Sequence, residues 1–347
     1  MDLSLTPEEE QLVDAVRSLL RRESSPDRIR ASEKTGCDLA LWAGLQRLGV
    51  PSMAVAQGHG EAASLLQLAL VAEQCGAALA SAPVLEGLVA ARLLARCRDG
   101  ADELLASVCE GHLIGTVSFG TAFAGVPDLV PAGAIAHLVV ALDGEDLVAV
   151  VSEPPGARIE NLGCLPVAFR EAGTGARTVL ATGAEARSAF MAALTDWKLL
   201  SAAQLTGLSA AALELAVDYV KSREVFGAPI ATFQTIAHRL ADDATAIDGA
   251  RLLSYKASWA LDGGRSDGDV LASMAWLFAS ETAGDVTRDA LHYHGGYGFT
   301  TEYDIQLYFR RAKAYALLWG DPRTEYRRLG NLLFDPGCPA TSGGEDT

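Results

Sequence analysis

The sequence predicts a mainly α-helical protein with a small central β domain, on three observations. Apolar residues recur at helical spacing through the N-terminal third, the spacing gives way to short β-rich runs between about residues 112 and 182, and four long helical patterns with short connections follow. The chain is thereby divided into an N-terminal helical domain over 1–111, a small antiparallel β domain over 112–185, a C-terminal four-helix bundle over 186–334 and a disordered tail over 335–347.

The bounds fit such a protein. With 347 residues the chain buries about three quarters of its unfolded surface, and half of its residues are apolar. A formal net charge of −16 argues against a nucleic-acid partner, whose phosphates are met by clustered Lys and Arg. The six cysteines show no C-x-x-C pair and no metal-ligand spacing, and no signal peptide precedes them. They read as reduced thiols of a cytoplasmic protein. No run of eighteen or more uncharged apolar residues is found, so no membrane span is expected.

The first helix announces itself by Thr6 as N-cap, Pro7 at the first helical position and Glu9 closing a capping box, followed by an apolar face of Leu12, Val13, Val16, Leu19 and Leu20. Helical patterns continue over about 39–48, 62–80 and 84–96. Glu73 interrupts an apolar run and reads as a solvated or paired helix residue. The small residues from Gly76 to Ala82 fit a close helix crossing or the next turn.

Strand-like runs then cover 113–119, 136–142, 146–151, 167–170 and 178–180, punctuated by Gly, Pro and Asp. The bundle is predicted from patterns over about 186–221, 232–262, 267–293 and 303–333. The segment from Asp335 is rich in Gly, Pro, Ser and acidic residues, the composition of a disordered tail.

Two stretches carry the functional signal. Ser222–Asp243 reads SREVFGAPIATFQTIAHRLADD, and His292–Asp321 reads HYHGGYGFTTEYDIQLYFRRAKAYALLWGD. In the second, Gly295 and Gly296 turn the chain and let backbone amides approach an anion. Together the two resemble the acyl-CoA dehydrogenase family, with its R-x-x-F-G-x-P-I-x-x-F-Q segment and its later Q-x-x-G-G-x-G-[YF] segment. The resemblance is strong from about residue 188 to 330 and looser before it, and it implies the fold order already read from periodicity.

It also implies FAD as cofactor and an acyl thioester, of coenzyme A or a carrier protein, as substrate. Arg223 matches the arginine that reaches the pyrophosphate of a neighbouring subunit's FAD, a role suited to its planar charged fork. Phe226 lies in the same motif. Phe233 and Gln234 match the pair that packs on and hydrogen-bonds the adenosine diphosphate part, and Gly295 and Gly296 match the loop that admits it. His292 stands where many members have Gln. His292 and His294 lack a third ligand close in sequence, so no metal is expected, and His238 reads equally as a helix histidine or a cofactor-side residue.

The family's chemistry needs a carboxylate to remove the α-proton of the thioester. Trp319 replaces the usual Glu, and the alternate position falls at or beside Trp197. The nearest acids, Asp321 and Asp196, are the candidate bases, although Asp at a helix end is by default a cap. The stretch SFGTAFAGVPDLVPAGAIAHLVV also lacks most of the family's flavin-contacting hairpin.

Three readings follow. The chain is an oxidoreductase that desaturates an acyl thioester at the α,β bond, a base-less subunit of a heteromeric dehydrogenase, or a non-redox enzyme on the same fold. Expected partners are an electron-transferring flavoprotein and further copies of the chain or a related subunit.

Overall fold

Thr6 caps α1 (Pro7–Glu23) by accepting from the Glu9 N–H, and the Glu9 carboxylate takes the Thr6 N–H at 2.7 Å, completing the capping box. The structure, a computed structural model, describes residues 4–56, 62–97, 100–120, 128–171 and 175–334. The tail expected over 335–347 lies outside the described residues. After α1 the N-terminal lobe continues through α2 (Pro26–Ser32), α3 (Leu39–Arg47), α4 (Leu65–Ala77), α5 (Val84–Arg96) and α6 (Asp102–Cys109). A second capping box, Ser64 with Gln67, starts α4. Glu73 is paired, taking a guanidinium N–H from Arg251 at 2.8 Å.

The β lobe comprises β1 (Gly115–Val117), β2 (Asp128–Val130), β3 (Leu138–Asp143), β4 (Asp146–Val151), β5 (Ala168–Arg170) and β6 (Ala176–Thr182). Its main sheet runs β1-β3-β4-β6, and β2 pairs with β5 alone. The expectation of an antiparallel lobe is corrected in one place, because β1 lies parallel to β3. The chain between Val117 and Leu138 is long enough to return to the same end of the sheet, which a hairpin cannot do. Val139, Ala141, Val148 and Val150 pack with Val130 on one face, and Leu138, Val140, Leu147 and Ala149 join the main core on the other.

Four long helical elements were expected next, and the last is two. The third lobe holds α7 (Gly183–Ser222), the short hairpin of β7 (Glu224–Val225) and β8 (Ala228–Pro229), α8 (Gln234–Asp262), α9 (Gly268–Tyr293), α10 (Ile305–Ala316) and α11 (Pro322–Phe334). Gly320, at φ +135°, and Pro322 at the first position of α11 break the fourth pattern, because one leaves the helical region and the other cannot donate its nitrogen to a preceding turn.

The 40-residue α7 is long and apolar enough to cross a membrane by length and composition, yet 67% of its most apolar window is buried within the fold. It is the core helix. Where α4 crosses it, a Cβ on Gly76 would lie 1.8 Å from the Gln204 carbonyl oxygen, and one on Gly207 would lie 1.9 Å from that of Glu73. The two backbones touch. Gly207→Ala is therefore expected to cost about 3 kcal/mol or more in denaturant unfolding, since neither helix can retreat without opening the core. Gly330→Ala, on α11 with no atom within 4 Å of the new Cβ, is expected to gain about 0.5–1 kcal/mol in the same assay.

Candidate functional site

Two separate places gather the residues singled out by sequence. The first is the end of the bundle where α7 stops, α8 starts and α9 stops. Arg223 leaves α7 in an extended conformation while its N–H still bonds the Tyr219 carbonyl at 2.8 Å, and its side chain is exposed and makes no ion pair among the described residues. The β7–β8 hairpin turns on Phe226 (φ +56°) and Gly227 (φ +80°), the pair of left-handed residues a tight hairpin needs. Phe226 stands at its tip with 96% of its surface exposed.

The Ile230 N–H bonds the Arg223 carbonyl at 2.8 Å, which ties this hairpin to the start of α8. Phe233 precedes that helix half-exposed, Gln234 is its exposed first residue, and no side chain caps its N-terminus. Uncapped N–H groups, the positive end of a helix dipole and an unpaired guanidinium make this edge suited to an anion.

On the α9 side His292 is exposed, His294 is buried, and Gly295 and Gly296 follow at the surface. Gly295 needs its left-handed φ of +60°, but a Cβ on Gly296 would meet no atom within 4 Å and its φ is unremarkable for any residue. Nothing in this chain's own packing asks for glycine at 296. The edge thus fits the diphosphate half of a nucleotide cofactor, with room left for it. His238 lies exposed on α8. Among the described residues no cluster of His, Cys, Asp and Glu is suited to a metal ion.

The second place is a cavity of about 30 Å³ between α5, α7 and α10, lined by Glu86, Trp197, Gln204, Arg311, Tyr315 and Leu318 among others. Trp197 is buried and packs on Phe119 at a centroid distance of 5.6 Å. Trp319 sits edge-on to Trp276 at 5.2 Å, and the Lys198 ammonium lies 4.5 Å from its ring centre. Lys198 in turn donates to the buried Glu325 at 2.7 Å. Burial alone raises the proton affinity of Glu325, but the hydrogen bond from Arg328 and the charge of Lys198 outweigh it and hold the carboxyl below its ordinary range.

Neither candidate base reaches this cavity. Asp196 is buried and accepts from Arg92 at 2.8 Å and Arg96 at 2.7 Å, and it does not line the cavity. Asp321 is exposed, accepts from the Arg323 backbone N–H at 2.9 Å as a cap of α11, and pairs with the Arg323 side chain. Those bonds lower its pKa, which is the opposite of what a general base near neutrality requires. Of the two expected bases, one carboxylate is engaged by two guanidiniums and the other faces water.

The carboxylate that does line the cavity is Glu86, which the sequence reading passed over. It is half-buried in the cavity lining, and desolvation pushes its pKa up to about 7. The signal was present in V-L-E-G-L, an acid inside an otherwise apolar helix start, but only the fold shows which acid of the N-terminal lobe faces inward.

Comparison with known proteins matches both helical regions of the chain. The family model described as acyl-CoA dehydrogenase, N-terminal domain, matches residues 6–104, and that described as acyl-CoA dehydrogenase, C-terminal domain, matches 187–328. The chain is 34% identical over 336 residues to the acyl-CoA dehydrogenase IpdE2 of Mycolicibacterium smegmatis, covering 95% of this chain and all of that one. Among solved structures it resembles a chain of the ChsE4-ChsE5 complex from Mycobacterium tuberculosis, with a TM-score of 0.83, 25% identity and coverage of 98% and 100% of the two chains. It also resembles the Tcur3481-Tcur3483 steroid ACAD variant, with a TM-score of 0.81, 28% identity and coverage of 94% and 97%.

The sign of the Glu86 linkage is set by its raised pKa. The folded chain holds a proton between the ordinary carboxyl range and about pH 7 that the unfolded chain has released. The associated stability is complete at low pH and is lost as pH rises through about 7. In urea unfolding at pH 5 and pH 8, Glu86→Gln is expected to gain on the native chain as pH rises, by about 3 kcal/mol in the limit. Parallel curves for the two proteins would remove Glu86 as a buried proton holder.

Proposed function

The chain belongs to the acyl-CoA dehydrogenase family, flavoprotein oxidoreductases acting on CH–CH groups, and on that premise we propose that it serves as one of two unlike subunits sharing FAD. In this reading the assembly desaturates an acyl-CoA at its α,β bond. Arg223, the uncapped start of α8 at Gln234, and Gly295 with Gly296 hold the diphosphate and adenosine half of an FAD whose ring lies in the neighbouring chain. Phe226, Phe233 and His292 border that half. Bound FAD supplies the redox chemistry, and this chain neutralises and orients its anionic part.

One observation carries the reading. The positions where a catalytic carboxylate is expected hold Trp197 and Trp319, and the cavity beside Trp197 measures about 30 Å³. That is room for about one water, against roughly 300–1,000 Å³ for ordinary ligand pockets. A thioester and a flavin ring do not fit together there, so proton abstraction falls to the partner's site. The pairing in ChsE4-ChsE5 and in Tcur3481-Tcur3483 supports a two-chain assembly, and the steroid substrate class of the latter supports a bulky alicyclic acyl-CoA.

Given FAD and acyl-CoA thioesters, the isolated chain is expected to show no thioester-dependent bleaching of the flavin band. In the assembled two-chain enzyme, Arg223→Ala is expected to weaken FAD binding about tenfold or more with the mass of the assembly unchanged, because a charged hydrogen-bond donor to the pyrophosphate is gone. Bleaching by this chain alone would sink the two-subunit reading.

A further inference from the structure

His294 is buried behind the cofactor edge, between two of that edge's segments. It is the residue before Gly295, and it is buried to 5% exposure. Its Nδ1 lies 2.7 Å from the Ala290 carbonyl oxygen. A carbonyl only accepts, so Nδ1 carries the proton and Nε2 is left without one in the neutral ring. Burial lowers the pKa of this imidazole, which favours that neutral form.

The ring stacks on Tyr219 at a centroid distance of 4.1 Å and an interplanar angle of 22°. Tyr303 closes the group edge-on, 6.1 Å from Tyr219 and 5.7 Å from His294, and Tyr297 leans on Tyr303 at 5.9 Å. Tyr219 stands one helical turn before Arg223, whose N–H bonds its carbonyl at 2.8 Å. The stack therefore joins the last turn of α7, which leads into Arg223, to the end of α9, which leads into the Gly-Gly turn. His292 is exposed where His294 is buried, so the two histidines do different work on different faces.

We propose that His294 is a positioning residue: through its stack on Tyr219 it holds Arg223 and the Gly295-Gly296 turn at the spacing that one anionic cofactor spans. The proposal rests on the reading that this edge receives the diphosphate half of FAD. A flat, neutral ring pressed on Tyr219 fixes distance and orientation together, which an aliphatic side chain of similar size does not.

The test follows amide hydrogen exchange in the full chain at residues 220–227, which are remote in sequence from position 294. His294→Ala is expected to speed exchange there and at 295–298 while the rest of α7 and α8 stays as protected as before. His294→Phe, which keeps a flat ring on Tyr219, is expected to restore protection. In the assembled enzyme His294→Ala weakens FAD binding by about three- to tenfold, and His294→Phe recovers it. If His294→Ala fails to fold, Tyr219→Leu supplies the reciprocal reading at 293–298.

Unchanged exchange at 220–227 in His294→Ala, or a uniform rise along the whole bundle, overturns the proposal. So does a failure of His294→Phe to rescue a local loss. An assembly that takes up no FAD with native residues refutes the two-subunit function instead, and the exchange data still decide whether His294 couples the two segments.

Discussion

The backbone contact between α4 and α7 is the constraint on which the rest depends. Glycines at 76 and 207 let the two helices approach until the carbonyls of Gln204 and Glu73 fill the space where Cβ atoms would stand. That crossing fuses the N-terminal lobe to the bundle, and one hydrophobic core runs through both, from Leu68 and Leu88 to Leu205 and Trp276. With α7 so fixed, its residues are delivered to set directions. Asp196 meets the arginines of α5, Trp197 lines the cavity, and Lys198 reaches Glu325 on α11.

The same rigidity separates two kinds of surface on one bundle. Near its start α7 helps to close a cavity, with Trp197 inside and the Lys198–Glu325 pair holding α11 beneath Trp319. At its far end the bundle is open: among the described residues Arg223 makes no ion pair, α8 has no side-chain cap, and a Cβ on Gly296 would meet no atom within 4 Å. On the proposed reading, a chain that fills the place of an acyl group and leaves its cofactor edge bare completes another chain's site. The buried charges obey the usual rule in being paired, as Asp196 with two arginines and Glu325 with a lysine and an arginine show.

Much of this was legible in the sequence where the determinants are local. The capping box at Thr6, the small-residue stretch beginning at Gly76, and the motif residues from Arg223 to Gln234 each specify their conformation within a few positions. Relations between distant residues were not legible. Parallel pairing of β1 with β3 depends on where a long connection returns, and the fates of Asp196 and Glu86 depend on which helix face meets α5 or the cavity. Gly320 and Pro322 did signal the break between α10 and α11, but an amphipathic pattern continuing on both sides of them concealed it. His294 shows the same limit, since a histidine at a helix end acquires meaning only once Tyr219 is found 4.1 Å away.

The count of flavins per chain tests the central claim most directly. Native mass spectrometry of this chain alone, and of the assembly it forms when co-expressed with a related dehydrogenase chain, gives both numbers at once. The account predicts no FAD on the isolated chain and one FAD for each pair of unlike chains. An assembly built only from this chain and carrying one FAD on every copy would contradict it.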